Sequence, residues 1–171
     1  MQPRTITLIS IILAVVLFRF LPHPPNVSPV AAMALFGGAY LADRRLAFVL
    51  PFAVMLLSDL FLGLHDTLLY VYGAFAITVA IGLLLRERVG VTSVTLATVG
   101  ASLTFFLITN FGVWFAGGHG YPMDAAGLTQ SFVAGLPFLQ YSLLGNLFFA
   151  AVMFGGFHLL RSYAPSLTRT A

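Results

Sequence analysis

Long apolar stretches, separated by short breaks in which arginines alternate with acids and histidines, constrain this chain more than any other feature. Positively charged side chains near the ends of apolar helices mark the cytoplasmic side of a membrane protein. The pattern therefore predicts a chain that crosses a membrane repeatedly and has both termini in the cytoplasm. The basic breaks hold Arg4, then Arg44 and Arg45, then Arg86 and Arg88, then Arg161 and Arg169.

Composition supports the same class, because 60% of the 171 residues are hydrophobic and 8% are charged. Such a chain cannot keep a soluble domain in solution, so we expect the lipid bilayer to be its solvent. The positive net charge comes from arginines that flank apolar stretches, which indicates topology and not nucleic-acid binding. The chain has no cysteine, which excludes disulfides, thiolate metal sites and cysteine nucleophiles.

Hydrophobic stretches and their breaks predict an all-α, polytopic membrane protein with a single transmembrane domain, 1–171. We expect a long connection at 117–129 and a break at Pro137, because the apolar stretch 130–160 is too long for one span. The six expected helices cover about residues 5–21, 29–42, 46–62, 67–85, 91–116 and 138–160.

The expected second helix is short. It begins after Ser28, an N-cap, with Pro29 at the first helical position, and ends at Ala42. Its length of roughly 21 Å, at ~1.5 Å per residue, is less than the ~30 Å of a hydrocarbon core. The segment 22–28 should therefore enter the outer half of the membrane, where irregular backbone survives only inside protein or beside a wet cavity.

Polar residues at membrane depth predict a pocket on the outer side. Asp59, near the outer end of the third helix, is either a ligand-binding carboxylate or a carboxylate that reaches interfacial water or pairs with Arg19. Asn110 and Trp114 share one face of the fifth helix, and Phe106 continues that face inward. The alternatives are hydrogen bonding between helices for Asn110 and an interfacial belt role for Trp114.

Three further residues complete the expected binding site. Tyr141 follows Pro137 by one turn in the last helix, and Asn26 lies before the second helix. Tyr121 lies in the connection 117–129, whose glycines should allow it to close over the pocket as a lid. Asn146 is deeper in the last helix, where packing between helices is the favoured role.

A metal site and an active site find little support. His65, Asp66 and His119 fall on the outer side, but no pair of ligands is fixed on one helix. No serine elbow, phosphate-binding loop or acid pair at catalytic spacing occurs, so we expect no enzymatic activity and no cofactor.

Small residues at Ala34, Gly38 and Ala42 form a stripe on the second helix, where another helix can approach closely. Packing within the chain is the favoured use of this stripe. Contact with a partner subunit is the alternative.

Part of the chain resembles the S components, the substrate-binding membrane subunits, of energy-coupling-factor vitamin transporters. The resemblance covers about forty residues: 28–42, with the sequence SPVAAMALFGGAYLA, the basic turn at Arg44 and Arg45, Pro51, and 58–63, with the sequence SDLFLG. It implies an S-component-like bundle of six helices, an outer pocket capped by loops, and a transmembrane coupling subunit with ATPase subunits as partners. S components usually carry an alanine contact for the coupling subunit on the first helix, and here that helix offers only Ala14.

A second resemblance covers most of the chain and is more specific. The segments 26–29, 58–59, 109–114, 121–122, 127–128 and 137–138 are similar to a family of uncharacterised bacterial integral membrane proteins. It implies location in the bacterial cytoplasmic membrane. Similarity to cobalamin-specific S components would make His65 a cobalt ligand and cobalamin the bound molecule, although such subunits more typically place a cysteine nearby.

These observations together predict a membrane subunit that binds a small organic nutrient, vitamin-like or nucleobase-like, on the outer side and aids its uptake. The expected pocket is formed by Asn26, Asp59, Phe106, Asn110, Trp114, Tyr121 and Tyr141. Two alternatives remain: a structural or assembly subunit without a ligand, and a small passive pore.

Overall fold

The structure, a computed structural model, describes residues 3–22, 24, 27–64, 66–164 and 167, and these form helices and no strand. The helices are α1 (Pro3–Val16), α2 (Val30–Tyr40), α3 (Arg44–Leu62), α4 (Leu68–Leu84), α5 (Val91–Phe115), α6 (Ala125–Ala150) and α7 (Gly156–Tyr163). A 3-10 turn, Leu17–Phe20, follows α1, and a π-helical turn, Ala151–Gly155, joins α6 to α7.

The chain is a helical protein with four stretches that are long and apolar enough to cross a membrane: Pro3–Phe20, Arg44–Leu62, Val91–Phe115 and Ala125–Tyr163. Two shorter apolar helices, α2 and α4, accompany them. Large apolar side chains cover the outside of the protein, and Phe61, Leu69 and Leu84 are each about four-fifths exposed. An apolar exterior of this kind is typical of a protein dissolved in lipid.

Helix α2 is the centre of the bundle. It is hydrophobic on every side, all 11 of its residues are buried, and it contacts α1, α3, α4, α5 and α6. Its closest neighbour is α4: a Cβ atom added at Gly38 would lie 2.5 Å from the Val79 carbonyl oxygen and 2.9 Å from the Gly82 Cα. The absence of side chains at Gly38 and Gly82 therefore lets the two backbones touch.

Arginines meet at one end of the bundle, which we call the basic end; the opposite end is the distal end. At the basic end, Arg86 donates hydrogen bonds to the carbonyl oxygens of Gly38, Leu41 and Ala42 at 2.9, 2.5 and 3.2 Å. Arg4 donates to the Tyr40 carbonyl oxygen at 3.2 Å. These bonds satisfy carbonyl groups that the last turn of a helix leaves without partners.

The expected break at Pro137 is wrong, because α6 runs continuously from Ala125 to Ala150 with Pro137 inside it. Asp124 caps this helix by accepting a hydrogen bond from the Gly127 amide at 2.8 Å. Proline costs one backbone hydrogen bond, which apolar membrane helices tolerate more readily than soluble ones. The connection between α5 and α6 is correspondingly shorter than expected, and Thr129 belongs to the helix.

The boundaries of α1 and α2 also differ from expectation. The α-helical part of α1 ends at Val16, and the tighter 3-10 turn carries the chain to Phe20. Helix α2 begins at Val30 and ends at Tyr40, and its N-cap is Pro29 with no side-chain hydrogen bond. Ser28 is therefore not a capping residue.

Candidate functional site

Arg19 and Asp59 form an ion pair inside the distal half of the bundle. Arg19 Nη2 donates to Asp59 Oδ1 at 2.8 Å, and their side chains are 15% and 5% exposed. The second guanidinium nitrogen, Nη1, donates to Ser58 Oγ at 2.5 Å. Tyr72 donates its hydroxyl to Asp59 Oδ2 at 2.9 Å, so both carboxylate oxygens are occupied. The pairing of Asp59 with Arg19, which the sequence left as an alternative, is the arrangement observed.

The local structure explains how a residue of the first helix reaches the third. The 3-10 turn ends α1 at the distal end and contains Arg19. Ser58 and Asp59 lie one turn before the end of α3, and Arg19 Nη1 also contacts the Met55 sulfur at 2.9 Å. One guanidinium therefore bridges α1 to the last two turns of α3.

A cavity of about 320 Å³ lies beside this ion pair. This volume falls at the lower end of the ~300–1,000 Å³ typical of small-molecule sites. It opens among the segment that precedes α2 and helices α2 to α6. Its lining comprises Arg19, Ser28, Val30, Ala31, Met55, Val71, Ser102, Phe105, Thr109, Ser142 and Asn146.

Several polar atoms in this lining have hydrogen-bonding capacity that the protein does not use. Asn146 is 6% exposed and donates its amide to Ser102 Oγ at 3.0 Å. Its amide oxygen accepts no hydrogen bond from any described residue, and neither the Ser28 nor the Ser142 hydroxyl is bonded to one. Ser28 and Ser142 are half-buried, so these atoms are free to form hydrogen bonds with a molecule inside the cavity.

The backbone before α2 forms one wall of the cavity. A Cβ atom added at Gly145 in α6 would lie 3.2 Å from the Val27 Cα, so the non-helical chain presses against the middle of α6. Ser28, the next residue, lines the cavity. The non-helical segment before α2 is thus packed against protein and lies beside a polar cavity. The short second helix predicted this arrangement.

A second cavity, of about 130 Å³, adjoins the first and shares Ser102, Phe105, Thr109 and Ser142 with it. Phe106 and Asn110 line this smaller cavity. Asn110 donates to the Phe106 carbonyl oxygen at 2.8 Å and fills the space that a side chain at Gly135 would occupy. The Asn110 side chain thus packs α5 against α6.

The remaining residues of the expected pocket lie elsewhere. Trp114 Nε1 donates to the Pro122 carbonyl oxygen at 2.8 Å, and Tyr121 stacks on His119 with ring centres 6.0 Å apart. Neither residue lines either distal cavity, and Tyr141 is 49% exposed and lines neither. Asn26 lies outside the described residues.

The geometric expectation that Asp59, Asn110 and Trp114 surround one hollow is therefore wrong. Their polar contacts go to Arg19 and Tyr72, to the Phe106 carbonyl, and to the Pro122 carbonyl respectively. The distal cavity exists, but its polar lining comes from Arg19, from Asn146 and from hydroxyl groups. The connection between α5 and α6 contributes no residue to it, so the expected lid does not lie over this site.

Sequence reasoning missed Ser28, Ser142, Thr109 and Phe105 and assigned Asn146 to packing alone. A signal for two of them was present: Ser102 and Thr109 are two turns apart on α5, and Ser142 and Asn146 are one turn apart on α6. Each pair is spaced by whole helical turns, so the sequence indicates one polar stripe along α5 and another along α6. The sequence does not reveal that these stripes face each other.

The stripe of small residues serves packing within the chain. Ala34 and Gly38 are buried in α2, and Gly38 touches the backbone of α4, so neither is accessible to a partner subunit. This corrects the alternative of partner binding for these two residues. Ala42 is exposed at the basic end.

The described residues contain no group of three or more His, Asp or Glu side chains that could hold a metal ion. His65, the expected cobalt ligand, lies outside the described residues. His119 stacks on Tyr121.

Comparison with known proteins gives a family and no described function. No curated protein and no solved structure matches this chain. A family model described as a family of unknown function, DUF6580, matches residues 1–167, and the chain belongs to that family.

Proposed function

We propose that this chain is a substrate-binding subunit of the bacterial cytoplasmic membrane that captures a small organic molecule in its distal cavity and aids its uptake. The six apolar helices span the bilayer, the arginine-rich basic end faces the cytoplasm, and the distal end faces outward. The site is the 320 Å³ cavity beside the Arg19–Asp59 ion pair.

The observation that carries this proposal is the amide of Asn146 at the cavity wall: the residue is 6% exposed, and its oxygen accepts no hydrogen bond from any described residue. A ligand that donates to this oxygen forms a hydrogen bond, which contributes about 0.5–1.5 kcal/mol. A structural subunit gains nothing from a hollow lined by unpaired polar atoms. A binding protein gains specificity from it, because a ligand that supplies the missing donors is favoured over one that does not.

The charges of the lining indicate a neutral ligand. Arg19 is the charged residue of the lining, and its charge is opposed by Asp59 at 2.8 Å. Ser28, Ser142 and the Asn146 oxygen offer both donors and acceptors, and Phe105 offers an aromatic surface. A flat heterocycle with donors and acceptors on its edge, such as a nucleobase or a vitamin of similar size, has the complementary chemistry.

Uptake requires energy that this chain has no motif to supply. We therefore propose that a separate transmembrane coupling subunit and ATPase subunits act with it, as the resemblance to S components implies. The buried positions of Ala34 and Gly38 exclude them as the coupling contact. Exposed surface elsewhere on the bundle has to provide it.

The first test is to purify the protein in mild detergent and identify co-purified small molecules by mass spectrometry. We expect one small neutral compound at close to one equivalent, and its binding is then measured by calorimetry. Replacing Ser142, whose hydroxyl is unpaired, by leucine fills both distal cavities and should weaken binding at least tenfold while the melting temperature changes little. The matched control is Ser162→Leu, the same substitution at an exposed site in α7.

Each alternative function predicts a different result in these experiments. If no compound is retained and Ser142→Leu raises the melting temperature, the hollow is a packing defect and a structural or assembly role is favoured. If liposomes that contain the protein alone leak small neutral solutes, and Ser142→Leu stops the leak, the chain is a passive pore.

A further inference from the structure

A cavity of about 500 Å³ lies at the basic end, away from the distal cavity. The first two turns of α5 form one wall, and the end of α6, the π-helical turn and α7 form the other. Tyr40, at the end of α2, contributes to its floor. The lining comprises Tyr40, Val89, Gly90, Val91, Val94, Thr95, Thr98, Leu147, Ala150, Ala151, Phe154, Gly155, His158 and Arg161.

The walls of this cavity are apolar and open toward the side of the bundle. Val91 is 87% exposed, and Thr95, Ala151 and Gly155 are exposed as well. A Cβ atom added at Gly155 would meet nothing within 4 Å, so this wall has room for another molecule. The cavity runs from Gly90 to Thr98 along α5, a depth of ~12 Å at ~1.5 Å per residue. An apolar opening of this kind on the side of the bundle has the chemistry to accept a lipid acyl chain.

The mouth of the cavity, by contrast, carries positive charge without a counter-ion. Arg161 lines it, and Arg4 lies close enough to repel Arg161 electrostatically. The Arg4 Nε atom is buried and has no hydrogen-bond partner. Within the described part of the chain the only ion pair is Arg19–Asp59 at the other end, so no carboxylate neutralises these two guanidinium groups.

Polar side chains next to Arg161 extend this positive mouth. The Tyr40 hydroxyl interacts with the Arg161 guanidinium, and His158 lies one turn before Arg161 on α7. Phe157 packs under Arg161, with the guanidinium carbon 5.9 Å from the ring centre. The guanidinium is thus held at the edge of the cavity and is not free to extend into water.

We propose that this cavity binds one anionic phospholipid, with its phosphate at Arg161, His158 and Tyr40 and one acyl chain between α5 and the π-helical turn. Charge selects the occupant: an apolar groove alone accepts any lipid, whereas two neighbouring guanidinium groups without a carboxylate partner among the described residues favour a negative headgroup. The π-helical turn contributes Ala151, Phe154 and Gly155 to one wall of the groove. This lipid site is independent of the ligand site at the distal end.

Native mass spectrometry of the detergent-purified full chain tests this proposal. The protein is incubated with an equimolar mixture of phosphatidylglycerol and phosphatidylcholine that carry the same acyl chains, and retained lipids are counted. We expect one phosphatidylglycerol per chain and little phosphatidylcholine. Inorganic phosphate at the same and at a hundredfold higher concentration should not displace it, because the acyl chain contributes much of the affinity.

Two variants test the two parts of the site separately. Arg161→Gln should weaken phosphatidylglycerol retention about fivefold, the effect of roughly one basic side chain near an anionic headgroup, and leave phosphatidylcholine unchanged. Ala151→Leu should reduce retention of either lipid by filling the groove without changing charge. Arg88→Gln is the matched control, because Arg88 belongs to the same end, is exposed and does not line the cavity.

Several outcomes would overturn the proposal. Equal retention of the two lipids removes the role of charge, and displacement by inorganic phosphate removes the role of the acyl chain. Unchanged lipid retention in both Arg161→Gln and Ala151→Leu would show that the retained lipid binds outside this cavity. If either variant fails to fold, Thr95→Leu fills the same groove from the opposite wall and decides the matter.

Discussion

The two ends of this protein each hold an arginine that reaches across the bundle, and the two arginines differ in what they bind. Arg86, at the basic end, binds three backbone carbonyl oxygens at the end of α2. Arg19, at the distal end, binds the side chains of Met55, Ser58 and Asp59. Backbone carbonyls at a helix end cannot move away or be lost by substitution, whereas side chains can do both. The contacts of Arg86 therefore fix the basic end, whereas the contacts of Arg19 leave the distal end adjustable.

The distal cavity lies beside side-chain contacts that can change, whereas the contacts of Arg86 at the basic end are fixed. At the distal end, Arg19 of the ion pair lines a cavity whose polar atoms have unused hydrogen-bonding capacity, so a ligand can compete for the contacts that Arg19 makes. At the basic end, the contacts of Arg86 are saturated, and burial beside Arg44 lowers the pKa of its guanidinium without removing the charge. The comparison predicts that substitutions at the basic end affect stability, and that those at the distal end affect ligand affinity as well.

The largest effect should come from Arg86→Met. The substitution leaves three carbonyl oxygens at the end of α2 without donors and should lower the free energy of unfolding by about 3 kcal/mol. Equilibrium unfolding in mixed detergent micelles measures this. Arg88→Met, at an exposed neighbouring position, should cost less than about 0.5 kcal/mol. Equal losses in the two variants would remove the special role of Arg86.

A nearly equal effect is expected for Asp59→Ala alone, which leaves the Arg19 charge buried without its partner and should cost about 3 kcal/mol. Here, unlike at Arg86, a second substitution can restore stability. The double variant Arg19→Met with Asp59→Ala should be more stable than Asp59→Ala, because no buried charge remains unpaired. Additive losses in this double-mutant cycle would show that the two side chains do not interact.

The ion pair also shows how far the sequence alone could go. Asp59 is the one acid deep in an apolar stretch, and Arg19 is the one arginine among the distal breaks, so their pairing could be proposed from local charge alone. The order and apolar character of the helices followed from the same patterns. What could not follow was orientation: Ser142 and Asn146 occupy one face of α6, but only packing against α2 and α5 decides that this face meets a cavity.

The break expected at Pro137 and the length expected for the connection between α5 and α6 were wrong for a related reason. The sequence rule that proline ends a helix describes helices in water, whereas α6 is an apolar helix that packs against α5 and α2, and neighbouring helices allow an apolar helix to contain proline. Asp124 before Ala125 was a readable start signal for this helix, and it was outweighed by the length of the apolar stretch. Because α6 begins at Ala125, the connection is shorter than expected, and none of its residues lines the distal cavity.

The stability of the basic end should depend on the close packing of α4 against α2. In Gly82→Ala, the new Cβ atom would lie 2.5 Å from the Leu35 carbonyl oxygen, which forces α4 away from α2 and costs about 2 kcal/mol. Gly73→Ala is the control in the same helix, since its Cβ atom would meet nothing within 4 Å. It should be neutral or slightly stabilising. Thermal unfolding of both variants measures the contrast, and ligand affinity at the distal end should stay unchanged in both.

The smallest expected effect belongs to Trp114→Phe, and it separates the connection between α5 and α6 from the distal site. The substitution keeps an aromatic ring but removes the hydrogen bond to the Pro122 carbonyl oxygen, which should cost about 1 kcal/mol. Affinity for the co-purified ligand should equal that of the parent protein, because no residue of this connection lines the cavity. If calorimetry instead shows a loss as large as that of Ser142→Leu, the connection takes part in binding. The distal site would then extend past the hydroxyl-lined cavity to the Trp114 end of α5.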